Sequence, residues 1–191
     1  MANRNTQGFG LVPAGTLGQT PATSGTGKYK IDAGYATTIF HGGAVSSTAG
    51  YIVEGQGTAD NPMIGVLNGI FYNAATTLKP TFANFYKATI TPANSEDTVA
   101  FVMDDPFQQY VVSTDDARTQ AQFLATYDMN SSAGSDITGK SSSTLDTSVT
   151  SANDKQFRLL RSAEDPENED ITAAFFSGIV VSTTNSFNGH N

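Results

Sequence analysis

Cysteine and tryptophan are absent from this 191-residue chain, histidine occurs twice, and the stretch from Met1 to Ile31 holds no acidic residue. Without Cys, disulfides and thiolate metal sites are excluded, which suits synthesis in a reducing cytoplasm. The two histidines, His41 and the penultimate His190, offer little toward a convergent site of His, carboxylate and nucleophile. Paired carboxylates can hydrolyse glycosides, but the 18 acids are plentiful and no spacing selects a pair. Without Trp, the usual aromatic platform for a sugar would have to come from Tyr. The ten basic residues are scattered and outnumbered, for a formal charge of −8. Phosphate backbones attract clustered Lys and Arg, so no direct nucleic-acid binding is expected. The apolar runs are too short to span a bilayer. Arg4 is followed by polar residues and glycines, not by the apolar stretch of a secretory signal. These absences predict a non-enzymatic protein with no catalytic residue, cofactor or metal and no membrane partner.

Large apolar residues are also scarce. Leu, Ile, Val and Phe together make 40 of 191 positions, near the lower limit for a folded chain. The core is therefore expected to be thin or completed by neighbours. Thr, with 25 copies, outnumbers every aliphatic type, and 12 Phe and 7 Tyr accompany it. β-Branched and aromatic residues fit a pleated sheet. The polar–apolar alternation of Lys28 to Ala33 marks a half-buried strand. Strand-like runs recur at Tyr35–Phe40, Tyr51–Glu54, Met63–Tyr72, Phe85–Ile90, Val99–Met103, Tyr110–Ser113, Gln156–Arg161 and Ala173–Ser182. Gly42-Gly43, Asp60-Asn61-Pro62, Lys79-Pro80 and Asp104-Asp105-Pro106 punctuate them. The pattern predicts an all-β protein, an antiparallel sandwich or barrel of jelly-roll type with long polar loops. Asp115 to Leu124 reads either as a short helix led by two acids or as a loop. Asn130 to Asp154 reads as a long decorated loop or hairpin anchored by Ile137, Leu145 and Val149. No repeat of fixed period is present.

Three segments invite a chemical reading and also have a plainer one. Gly25-Thr26-Gly27-Lys28 looks like the end of a phosphate-binding loop, but Ala22 and Tyr29 stand where that motif needs Gly and Ser or Thr. Asp128 to Gly134 looks like the start of a calcium loop, but Ala133 and Gly139 occupy its essential Gly and Glu positions. Glu164 to Asp170 concentrates five carboxylates around Pro166, as a solvated loop or an opportunistic cation site. Asp104-Asp105 and Asp115-Asp116 read as turns in which Asp caps nearby amides.

The opening run, residues 1–27, has neither helical nor strand periodicity and only isolated apolar residues. It cannot bury enough surface to offset its ordering entropy. It is therefore read as an extended arm ordered only against something else, with a β-rich body over 28–191. Fully extended, such an arm reaches about 90 Å at roughly 3.3 Å per residue. Its partner-binding candidates are Arg4, Phe9, Leu11, Val12, Pro13 and Leu17, with Lys28 and Lys30 adding to its positive charge. On this reading, deleting residues 2–20 leaves the body folded.

The runs MANRNTQGFGLVPAG, Thr20 to Ala36, Ala100 to Val112, Thr138 to Asp146 and Gln156 to Asp170 resemble small virion structural proteins of tailed bacteriophages, particularly marine and cyanobacterial podovirus-like phages. The resemblance implies a capsid decoration or cement protein, β-rich and often trimeric, on the outer capsid surface. Its partners would be the major capsid protein and copies of itself, in a homotrimer. It implies no catalytic residues. An outward position suits the charge, because a protein of −8 facing packaged DNA is repelled. The alternatives are a tail or fibre-associated module that binds the host surface and, more distantly, a carbohydrate-active enzyme.

Overall fold

The computed structural model describes residues 2–19, 25–58, 61–148 and 155–187. Strand accounts for 42% and helix for 5%. In chain order the strands are β1 (Val12–Thr16), β2 (Gly27–Ile31), β3 (Ala44–Thr48), β4 (Tyr51–Glu54), β5 (Gly65–Asn73), β6 (Pro80–Ala83), β7 (Thr98–Met103), β8 (Gln108–Ser113), β9 (Thr126–Tyr127), β10 (Met129–Asn130), β11 (Thr144–Leu145), β12 (Phe157–Ser162) and β13 (Ser177–Ser182). One antiparallel sheet, here the upper sheet, runs β1-β8-β13-β12-β9. The lower sheet runs β2-β7-β5-β3-β4, with β6 also paired to β5. The two open sheets pack together as a sandwich and do not close into a barrel.

Strict alternation along β7 sets the layering. Thr98, Ala100 and Val102 are buried while Val99, Phe101 and Met103 are half-buried. Val66, paired with both Ala44 and Met103, faces the upper sheet. There it joins Tyr110, Val112, Phe157, Leu159 and Val180 in the first core. Leu67, Ile70, Ala100 and Val102 point the other way, into a second core. No sheet covers that second core. Ile39 and Tyr86 roof it, joined by backbone hydrogen bonds of 2.8 and 2.9 Å. The stretches 35–40 and 85–90, expected as strands, therefore make only an isolated bridge.

Within the opening segment, residues 3–17 are not a separate arm, while residues 20–24 lie outside the described residues. Asn3 Nδ2 donates to the carbonyls of Asp170 and Ala174 at 3.0 and 2.9 Å, and Asn3 Oδ1 accepts from Asp170 N. Arg4 pairs with Glu167. Leu11 donates its N–H to Gly42 O at 2.8 Å and is wholly buried in the first core. Gly10 makes that approach possible: its φ is 74°, and a Cβ there would lie 2.7 Å from Gly42 O. The residues after it form β1, at the edge of the upper sheet. The segment has no private core to offset its ordering entropy; it shares the body's core through one leucine and a strand. β2 begins at Gly27, but ordered structure has already begun with β1.

The polar tract from Asn130 is partly a hairpin, closed by β10 and β11. Leu145 anchors it as expected, but Ile137 is 96% exposed and Val149 lies outside the described residues, as does His190. The stretch from Asp115 contains only a single 3-10 turn, Gln120–Gln122.

Candidate interaction surface

The sequence candidates divide among three places. Arg4 is tied to Glu167, Phe9 is half-buried, and Leu11 belongs to the core, so it cannot enter a partner's pocket. Val12, Pro13 and Leu17 are exposed along and just after β1. The ladder slips between Pro13 and Gly15. A proline and a bulge on an edge strand blunt it against further pairing, so β1 is a poor acceptor for an added strand. Leu17 N donates to Phe107 O at 2.9 Å, which brings Leu17, 40% exposed, beside Phe107, 58% exposed. Lys28 and Lys30 lie elsewhere, on the lower sheet.

Lys28 pairs in register with Phe101 and Lys30 with Val99. Val99 in turn pairs with Phe71, and Phe71 with Phe82. Directly paired residues of an antiparallel ladder share a face, so these six side chains lie on one face. By the alternation of β7 it is the same face that Met103 presents to the upper sheet. The upper sheet thus covers one end of the lower sheet's inner face and leaves the other end bare. The Phe71 and Phe82 rings are 4.8 Å apart, and Phe82 and Phe101 stack at 6.4 Å. Phe82 is 72% exposed. Sequence reasoning missed this surface, although Val99-Ala100-Phe101-Val102-Met103 is apolar at both parities. Such a run marks a strand whose second face also seeks a cover.

A cleft of about 670 Å³ lies at the margin of the bare face, lined by Pro13, Gly15, Asn68, Met103, Asp105 and Gln108, among others. Its carboxylates are engaged by the chain. Asp104 accepts from the Tyr29 hydroxyl at 2.6 Å, and Asp105 Oδ1 accepts from Phe107 N at 2.8 Å, capping the turn at Pro106. Asp116 Oδ1 accepts from the next residue's amide, Ala117 N, at 2.7 Å. In the acidic loop, Asp165 accepts from Glu167 N, Asp170 from Thr172 N, and Glu164 faces Arg161 at 3.8 Å. Asp128, first residue of the calcium-like run, pairs with Lys155 at 3.1 Å. Among the described residues no three of His, Asp and Glu group closely enough to hold a metal ion. No helix among them is long and apolar enough to cross a membrane.

The Tyr29 phenol is pushed up to about 12, first by burial and then by its hydrogen bond to Asp104 and the charge of that carboxylate. The folded chain keeps a proton that the unfolded chain sheds near pH ~10. This stabilisation is whole below about pH 10 and is lost as pH rises toward 12. Between about pH 9 and about pH 11.5 the urea midpoint should fall further for the wild type than for Tyr29→Phe. Lysine titration is common to both proteins, so parallel slopes would refute this assignment.

The chain matches no family model, no curated protein and no solved structure.

Proposed function

We propose that the protein is a capsid decoration or cement protein of a tailed bacteriophage, a non-enzymatic homotrimer that binds the outer face of the major capsid protein and stabilises the head. The observation that carries this reading is the bare end of the lower sheet. Contiguous exposed apolar surface rimmed by polar residues marks a protein–protein contact, and a free-standing globule gains nothing from leaving Phe82 exposed beside the half-buried Phe71 and Phe101. The net charge of −8 suits a station outside the shell, away from packaged DNA. Because the opening segment is built into its own body, docking falls to the body's surfaces and not to a reaching arm.

The test is copy number in intact particles of the encoding phage, by quantitative mass spectrometry against the major capsid protein. The cement reading expects hundreds of copies per particle. A few tens or fewer would assign the chain to the tail or fibre, and absence from particles would overturn a virion role.

A further inference from the structure

Two exposed apolar surfaces on this chain carry opposite charge. The first is the bare sheet face of Phe71, Phe82 and Phe101. Lys28 and Lys30 flank it on β2, in register with Phe101 and Val99. The one carboxylate in contact with these lysines among the described residues is Asp97, 3.2 Å from Lys30. In a protein of net charge −8, with six lysines in all, this face sets two of them, Lys28 and Lys30, beside an aromatic centre. The second surface is the corner where Leu17 meets Phe107. It is apolar as well, and Asp105 stands exposed beside it.

We infer that copies of this chain associate head to tail, the aromatic lysine face of one copy receiving the Leu17–Phe107 corner of the next. This rests on the homotrimer of the proposed function and names the surfaces that build it. Charge complementarity selects a second copy as the occupant. The corner carries the Asp105 carboxylate at its rim and apolar groups at its centre, the inverse of the lysine-rimmed face. Two copies meeting through the same face would bring lysine-rimmed surfaces together. A contact between two different surfaces is heterologous, and it closes into a ring when the rotation between copies allows it. A three-membered ring would leave neither surface exposed. It would also supply the cover that the thin apolar content of a single copy does not.

The experiment is sedimentation velocity on the full chain over a concentration series. The wild type is expected to form a trimer that weakens in high salt, because the rim charges are exposed and screened. Phe82→Ser and Phe107→Ser change exposed residues and should keep the wild-type circular dichroism spectrum. Each alone should raise the concentration for half-association at least roughly tenfold, as expected for a central anchor. Lys28→Glu provides a second, purely electrostatic probe of the same face and should weaken association in low salt only. Mixing the two serine variants is the decisive arm. A Phe82→Ser copy keeps an intact corner and a Phe107→Ser copy keeps an intact face, so the mixture should form heterodimers that neither variant forms alone. A wild type that stays monomeric overturns the inference, as does either serine variant that still trimerises or a mixture that fails to associate. These outcomes do not depend on copy number in particles, which tests the cement reading by itself.

Discussion

Removal of residues 2–16 is expected to unfold the protein. The deletion takes Leu11 out of the first core, where it is wholly buried, and strips β1 from β8 across four register pairs. It also orphans the carbonyls of Gly42 and Ser143, which accept from Leu11 and Gly10 at 2.8 and 3.1 Å. Truncating one buried leucine to alanine costs about 2–5 kcal/mol, against a typical domain stability of about 5–15 kcal/mol. Losing a strand and the Asn3 anchors as well should exhaust that margin. Leu11→Ala is the graded version and should lower the urea midpoint without changing the far-ultraviolet spectrum. Thermal melting followed by circular dichroism decides the matter. If the truncated chain melts cooperatively within a few degrees of the intact one, the segment is an appendage after all.

Gly65→Ala should be nearly as damaging, although it adds a single carbon. A Cβ at Gly65 would run into the carbonyl oxygen of Met103 and lie 2.7 Å from Val102 Cγ1 and 2.8 Å from Met103 C. The obstacle is backbone, so no rotamer change relieves it, and β5 would have to draw away from β7 at the centre of the lower sheet. A loss of roughly 3 kcal/mol or more is expected, in the range of strongly overpacked cores. Gly15→Ala is the matched control. It lies in β1, where an added Cβ meets nothing within 4 Å, and should change stability by less than about 1 kcal/mol in either direction. Equal midpoints for the two variants in urea would show that the β5–β7 approach is looser than the structure has it.

The sequence and the structure agree where a strand carries its own period. The runs expected at 28–33, 51–54, 63–72, 99–103, 110–113 and 156–161 coincide with β2, β4, β5, β7, β8 and β12 to within a few residues. The strands that escaped lack that signal. Ala44-Val45-Ser46-Ser47-Thr48 is nearly all small or hydroxyl side chains, yet its first three residues are buried because neighbours pack on both faces. Val12-Pro13-Ala14-Gly15-Thr16 contains Pro and Gly and reads as a loop. It pairs only because β8 offers it an edge. Tyr35–Phe40 and Phe85–Ile90 show the opposite error. Their spacing reports that Ile39 and Tyr86 are buried, and burial alone does not build a ladder. Of the candidate site, the two lysines were legible as exposed positive charge. The phenylalanines were not, because nothing local tells which face of a doubly apolar strand a second sheet will cover.

The pairing order also dictates when the molecule can fold. Every strand of the lower sheet lies between Gly27 and Met103, so that sheet can assemble as soon as its own stretch of chain exists. The upper sheet cannot. Its central strand is β13 (Ser177–Ser182), held between β8 and β12, and β1 at its edge must wait for β8, nearly a hundred residues later in the chain. Closing such distant partners is slow, of the order of milliseconds to seconds for β proteins of high contact order. During synthesis the lower sheet therefore stands without its cover, with Ala44, Val66 and Met103 as open to water as Phe82. Ribosome-bound chains stalled before Ser177 should bind hydrophobic dyes and holding chaperones, and release both once β13 has emerged.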